Sequence, residues 1–212
     1  MRRYDLQVHT DASPCSRAKP SEIVDAAIKN NLNGIAITNH DTLDGYEQVR
    51  TLAPNELTVI PGVEVTTTQG HLLALGVNEV PPQTDPLTVT DHIHEQGGVA
   101  VLSHPFDKLR EYYSEDLDKL AKCVDGVEVV NSRCIFSRFN QTALSFADTH
   151  NLAITGGSDA HFPIEVGRAY TLCDQPILTA IRENTTEAGG RGGYLSGHVA
   201  TKLNDALSLL NL

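Results

Sequence analysis

Histidine and carboxylate side chains gather at the ends of short apolar runs in this sequence. His9 follows Asp5-Leu-Gln-Val8, His40 follows Ile35-Ala-Ile-Thr-Asn39, and Glu64 lies in Pro61-Gly-Val-Glu-Val65. His104 follows Val99-Ala-Val-Leu-Ser103, Asn131 follows Val127-Glu-Val-Val130, and Asp159 and His161 follow Ile154-Thr-Gly-Gly-Ser158. Imidazole nitrogen and carboxylate oxygen are the donors that zinc, manganese and iron accept. One histidine at a strand end is an ordinary loop residue. Four histidines and two carboxylates at equivalent places are the pattern of a cation centre.

The elements that would position these residues follow from periodicity. Residues 4–8, 34–38, 57–60, 63–66, 71–77, 99–103, 126–130 and 152–155 are short, β-branched runs bounded by Gly, Pro or Asn, which predicts buried strands. Between them, amphipathic patterns predict helices over residues 20–31, 44–53, 87–96, 114–122, 137–150 and 176–184. Alternating strands and helices predict a parallel sheet wrapped by helices, either open or closed into a barrel. A parallel barrel brings all strand C-termini to one face, so the six donors would converge there.

The chain has 212 residues, enough for one domain with its own core, and the expectation is a single domain over residues 1–212. The Gly-rich stretch 189–197 reads as a connecting loop before a short helix over residues 202–210. Sixteen Lys and Arg against twenty-seven Asp and Glu leave a net charge of −11, which disfavours a charge-driven grip on nucleic acid. Cys15, Cys123, Cys134 and Cys173 are scattered, so neither a disulfide framework nor a zinc finger is indicated. No apolar run is long enough for a leader or a membrane helix, so the expectation is a soluble, cytoplasmic protein.

Asp5-Leu-Gln-Val-His-Thr-Asp-Ala-Ser13 resembles the first motif of the PHP (polymerase and histidinol phosphatase) family, D-L-H-x-H-T-x-x-S. Ile37-Thr-Asn-His-Asp-Thr42 with Gly45 is similar to the second, and Pro61-Gly-Val-Glu64 to the third. Ser103-His-Pro105 and Gly157-Ser-Asp-Ala-His161 resemble the fourth and fifth, and Gly167-Arg-Ala-Tyr-Thr171 a common downstream stretch. The resemblance implies an α/β fold, a distorted (β/α)7 barrel with its metal site at the C-terminal strand ends. It implies one to three divalent ions (Zn, Mn or Fe) and hydrolysis of phosphate esters. By it, His9, Glu64 and Asp159 would hold one ion, Glu64 would bridge to a second completed by His104, and His71 is similar to a further ligand of some members. His40 and His161 would hold a third, with a ligand from the loop after His9.

Several positions depart from the pattern. Gln7 replaces the first histidine of the H-x-H pair, and Asn39 replaces an Asp before His40. Pro14 stands where an Asp ligand is common; the adjacent Cys15 is either a thiolate ligand or a small packed side chain. The expected activity is a metal-dependent phosphoesterase acting on a small phosphorylated metabolite or nucleotide through a metal-activated hydroxide. Asp159 and His161 would serve catalysis, with Arg133 or Arg168 on the phosphate or in surface ion pairs. The alternatives are a histidinol-phosphate phosphatase and a non-catalytic PHP-like binding module with a degraded metal site.

Overall fold

The computed structural model describes residues 1–114 and 116–193. Among them are nine strands: β1 (Arg2–Val8), β2 (Gly34–Ile37), β3 (Thr58–Thr66), β4 (His71–Leu75), β5 (Val99–Ser103), β6 (Gly126–Asn131), β7 (Ala153–Gly157), β8 (Ala169–Cys173) and β9 (Glu187–Gly190). They form one sheet in the order β7-β6-β5-β4-β3-β2-β1-β8-β9. The sheet curls until its ends meet. Val8 bridges to Ala160 just past β7, and the Gly156 amide of β7 donates to Thr171 Oγ1 of β8 at 2.9 Å. The result is an α/β fold with a nearly closed barrel, of nine strands where seven were expected.

Helices α1 (Pro20–Lys29), α2 (Tyr46–Leu52), α3 (Pro86–Glu95), α4 (Leu117–Leu120), α5 (Ser137–His150) and α6 (Ile177–Arg182) lie between strands. Their starts are chemically marked. Pro20 opens α1, where Glu22 accepts from the Lys19 amide at 3.0 Å. Asp85 caps α3 by accepting from the Leu87 and Thr88 amides, both at 3.1 Å. Strands β4 and β5 are apolar on both faces because both are buried. Leu72 and Ala74 of β4 and Ala100 and Leu102 of β5 pack with Val89 and Ile93 of α3 and Ala143 and Ala147 of α5. The alternate residues Leu73, Leu75, Val99 and Val101 pack with Tyr4, Leu6 and with Ile177 and Ile181 of α6.

Three differences from the sequence expectation matter. The runs at 57–60 and 63–66 are one nine-residue strand, because Pro61 and Gly62 do not end it. The strand pairs with β2 as far as Pro61 and with β4 from Gly62 on, and the Pro61 carbonyl accepts from Gly76 at 2.7 Å. The sheet is mixed, since β4 runs antiparallel to both β3 and β5, and β8 antiparallel to β1. Gly189 and Gly190 end β9, paired with β8, so the Gly-rich stretch begins as a strand. Residues 194–197 of that stretch and the expected helix over 202–210 lie outside the described residues. No described helix is long and apolar enough to cross a membrane.

Candidate metal centre

Glu64 stands in the second half of β3, and its carboxylate is the hub of the barrel rim. Oε1 lies 3.1 Å from His71 Nδ1 and 3.2 Å from His104 Nε2, and Oε2 lies 3.1 Å from His9 Nε2 and 3.7 Å from His40 Nε2. Asp159 approaches from beyond β7, with Oδ1 3.3 Å from His9 Nε2. The His161 ring lies 4.4 Å from that of His9, tilted by 40°, and His161 donates from Nδ1 to the Asp159 carbonyl at 2.8 Å. The structure thus brings together His9, His40, Glu64, His71, His104, Asp159 and His161. His71 begins β4 rather than ending it, and reaches this rim because β4 is antiparallel to its neighbours.

The donors fit a cation. Three groups have ligand atoms within 4.8 Å of one another: His9, Glu64 and Asp159; His40, Glu64 and His71; and His9, Cys15, His40 and His161. Both nitrogens of His9, Oε2 of Glu64 and Nδ1 of His71 are buried and make no hydrogen bond. Buried polar atoms without such bonds are costly, and an ion coordinated by them removes that cost. His104 and Asp159 adopt left-handed backbone (φ +28° and +55°), strain of the kind that clusters at functional sites.

Electrostatics follow from burial. Burial opposes a charge on His9, but the carboxylates of Asp159 and Glu64 outweigh it and raise its pKa to about 9 when no cation is bound. Burial likewise opposes ionisation of Asp159, yet Arg110 and His9 hold it well below the usual carboxylate range. Burial and the neighbouring His9 push His161 well below its ordinary value, so it is a neutral donor.

Arg110 is a site residue that sequence reasoning did not single out. Its Nη1 donates to Asp159 Oδ2, its Nε to Asp107 Oδ2 at 3.0 Å, and its Nη2 to Asn131 Oδ1 at 3.3 Å. It comes from an irregular loop, where no periodicity predicts direction. Glu128 was also missed, though it carried a signal: a carboxylate within an apolar strand. Its Oε2 accepts from the His104 amide at 3.0 Å and from Asn131 Nδ2 at 2.9 Å, and burial pushes its pKa well above normal. Of the two arginines expected on a phosphate, Arg133 is buried with Nη1 3.5 Å from Glu165. Arg168 is half-buried just before β8, its amide donating to the Glu165 carbonyl.

A family model described as PHP-associated (PHP_C) matches residues 137–186. The chain is 34% identical over 174 residues to the uncharacterized protein MJ0417 of Methanocaldococcus jannaschii, covering 79% of this chain and 69% of that one. The chain belongs to the PHP family. The PHP fold is shared with a two-domain protein of Bacteroides vulgatus ATCC 8482 containing a predicted PHP-like metal-dependent phosphoesterase. That match has a TM-score of 0.77 and 21% identity over 90% of this chain and 65% of that one. The fold is also shared with the lesion-specific endonuclease PfuEndoQ of Pyrococcus furiosus, at a TM-score of 0.65 and 15% identity over 92% of this chain and 60% of that one. This chain therefore spans less than two thirds of either of those two proteins.

Its departures from the PHP motifs have visible partners. The Gln7 amide donates to Ser103 Oγ at 3.2 Å and accepts from Asn131 at 3.1 Å, while Ser103 donates to Glu64 Oε1 at 3.0 Å. Gln7 therefore lies at the centre and braces Glu64 through Ser103. Asn39 donates to Thr10 Oγ1 at 2.8 Å and to the Asp44 carbonyl at 2.7 Å, two bonds that an Asp could not donate. The PHP-motif glycine Gly45 has φ +86°, and a side chain there would strike Thr10 Oγ1.

Proposed function

We propose that this chain is a metal-dependent hydrolase of phosphoric esters, acting on a small phosphorylated metabolite or nucleotide. One observation carries the reading: a buried carboxylate, Glu64, divides its two oxygens between two pairs of imidazoles, and Asp159 meets the same His9 nitrogen that Glu64 does. His9, Glu64 and Asp159 would hold one divalent cation, His71 and His104 would extend the set on the other Glu64 oxygen, and His40 and His161 would complete the rim. Such cations, when bound, lower the pKa of water and neutralise charge on phosphoryl oxygens.

The chain's own residues do the rest. Ser103 and Gln7 hold the Glu64 carboxylate in one orientation. Arg110 takes one oxygen of Asp159 and leaves the other facing His9. The Asp159 carbonyl fixes the proton of His161 on Nδ1, so Nε2 presents a lone pair. His40, at 29%, is the most exposed of the histidines around Glu64, and a substrate would enter from its side. A net charge of −11 weighs against a polyanionic partner and favours a compact phosphate.

The test is elemental analysis of protein purified without chelator, together with hydrolysis of an aryl phosphate in added Mn²⁺ or Zn²⁺. Bound metal with turnover is the expected result. Metal without turnover overturns the hydrolase reading, and absence of metal overturns the centre itself.

A further inference from the structure

The loop that follows β1 carries a thiol to the cation centre. The group formed by Cys15, His9, His40 and His161 has its four ligand atoms within 4.8 Å of one another. The two serines flanking Cys15 pin it to those histidines. Ser13 Oγ accepts from the His40 amide at 2.9 Å, and the one hydrogen of Ser16 Oγ is shared between the carbonyls of His9 and His161, each 3.0 Å away. A turn closed by the Ser16 amide on the Ser13 carbonyl at 3.0 Å holds Cys15 between them. Both His9 nitrogens are buried and without a hydrogen bond, and His9 belongs to this group as well as to the one with Glu64 and Asp159.

We propose that Cys15, His40 and His161 form a thiolate-containing cation position that makes this centre select zinc-class ions over manganese. The proposal rests on the reading that the centre binds divalent cations. His9 Nε2 is already directed at Glu64 and Asp159, so the Cys15 position has three donors of its own, two nitrogens and one sulfur. Three protein donors with a fourth position open is the arrangement of a catalytic zinc site, not a closed structural one. Donors bonded to zinc at about 2.0–2.3 Å lie roughly 3.3–3.7 Å apart, so only a small contraction of this group is needed. Thiolate is a soft donor that favours zinc or cobalt, whereas oxygen donors suit manganese and magnesium. Binding releases the thiol proton to solvent.

The experiment loads chelator-stripped protein with Co²⁺ and records its absorption spectrum, beside Cys15→Ser and Cys15→His. The wild type is expected to show a near-ultraviolet thiolate-to-cobalt charge-transfer band that both variants lack. In competition read by elemental analysis, Cys15→Ser should lose the zinc-over-manganese preference by about tenfold or more, while Cys15→His keeps most of it. Bound cobalt without the band in the wild type, or an unchanged zinc-to-manganese ratio in Cys15→Ser, overturns the proposal and leaves the cation centre standing. Failure of the wild type to bind cobalt at all overturns both. Should Cys15→Ser fail to fold, the wild-type spectrum alone decides.

Discussion

In the group formed by His9, Glu64 and Asp159 every donor is sealed, at 0%, 1% and 2% exposure. Two of them are braced by neighbouring side chains: buried Ser103 and Gln7 behind Glu64, half-buried Arg110 behind Asp159. On the Cys15 side the donors are more open, with Cys15 and His40 both half-buried, and they are held through backbone contacts to Ser13 and Ser16. The first region is rich in charge and braced by side chains, and suits an ion held by carboxylates. The second has a soft donor and an open edge, and suits the ion that meets substrate. The source of the bracing differs: side chains from β1, β5 and the Arg110 loop on one side, the single loop after β1 on the other.

Asp159→Asn breaks the sealed side most directly. It keeps an acceptor oxygen for Arg110 but removes the charge, so hydrolysis should fall below detection while circular dichroism stays native. Residual turnover near the wild-type rate would remove Asp159 from the mechanism. Arg110→Met leaves Asp107 and Asp159 buried without their guanidinium, and should destabilise metal-free protein by roughly 3 kcal/mol. Added cation should recover part of that loss, so a melting gap between loaded and stripped protein that does not widen contradicts the bracing role.

The pH response separates proton from cation on the sealed side. The pKa of His9 rises from 6.5 to about 9 in the absence of metal. The imidazolium therefore contributes stability that is full below pH 6.5 and lost as pH climbs through 9, on the order of 3 kcal/mol. Stripped protein should melt progressively lower across that window and loaded protein should not, since the ion stands in for the proton; parallel curves would refute this. Gln7→His should have the smallest effect, raising metal affinity by about tenfold by adding an imidazole at the centre. No gain would mean that the lost brace to Ser103 cancels the added ligand.

Much of this protein was determined by its sequence alone. Strand-end placement of His9, His40, Glu64, His104, Asp159 and His161 was legible because apolar runs mark strands and polar residues at their ends must face a rim. The PHP motifs added His71 and raised Cys15 as one of two readings. Tertiary structure decided how these residues combine. The reversal of β4 puts His71 at the start of a strand yet on the shared rim, and hydrogen-bond direction between strands is not written in an apolar run. Arg110 arrives from an irregular loop, and Glu128 is selected by which face of β6 turns inward. Cys15 becomes a neighbour of His40 and His161 only when barrel closure sets the loop after β1 against the residues beyond β2 and β7, because that proximity is a property of closure and not of any local stretch of chain.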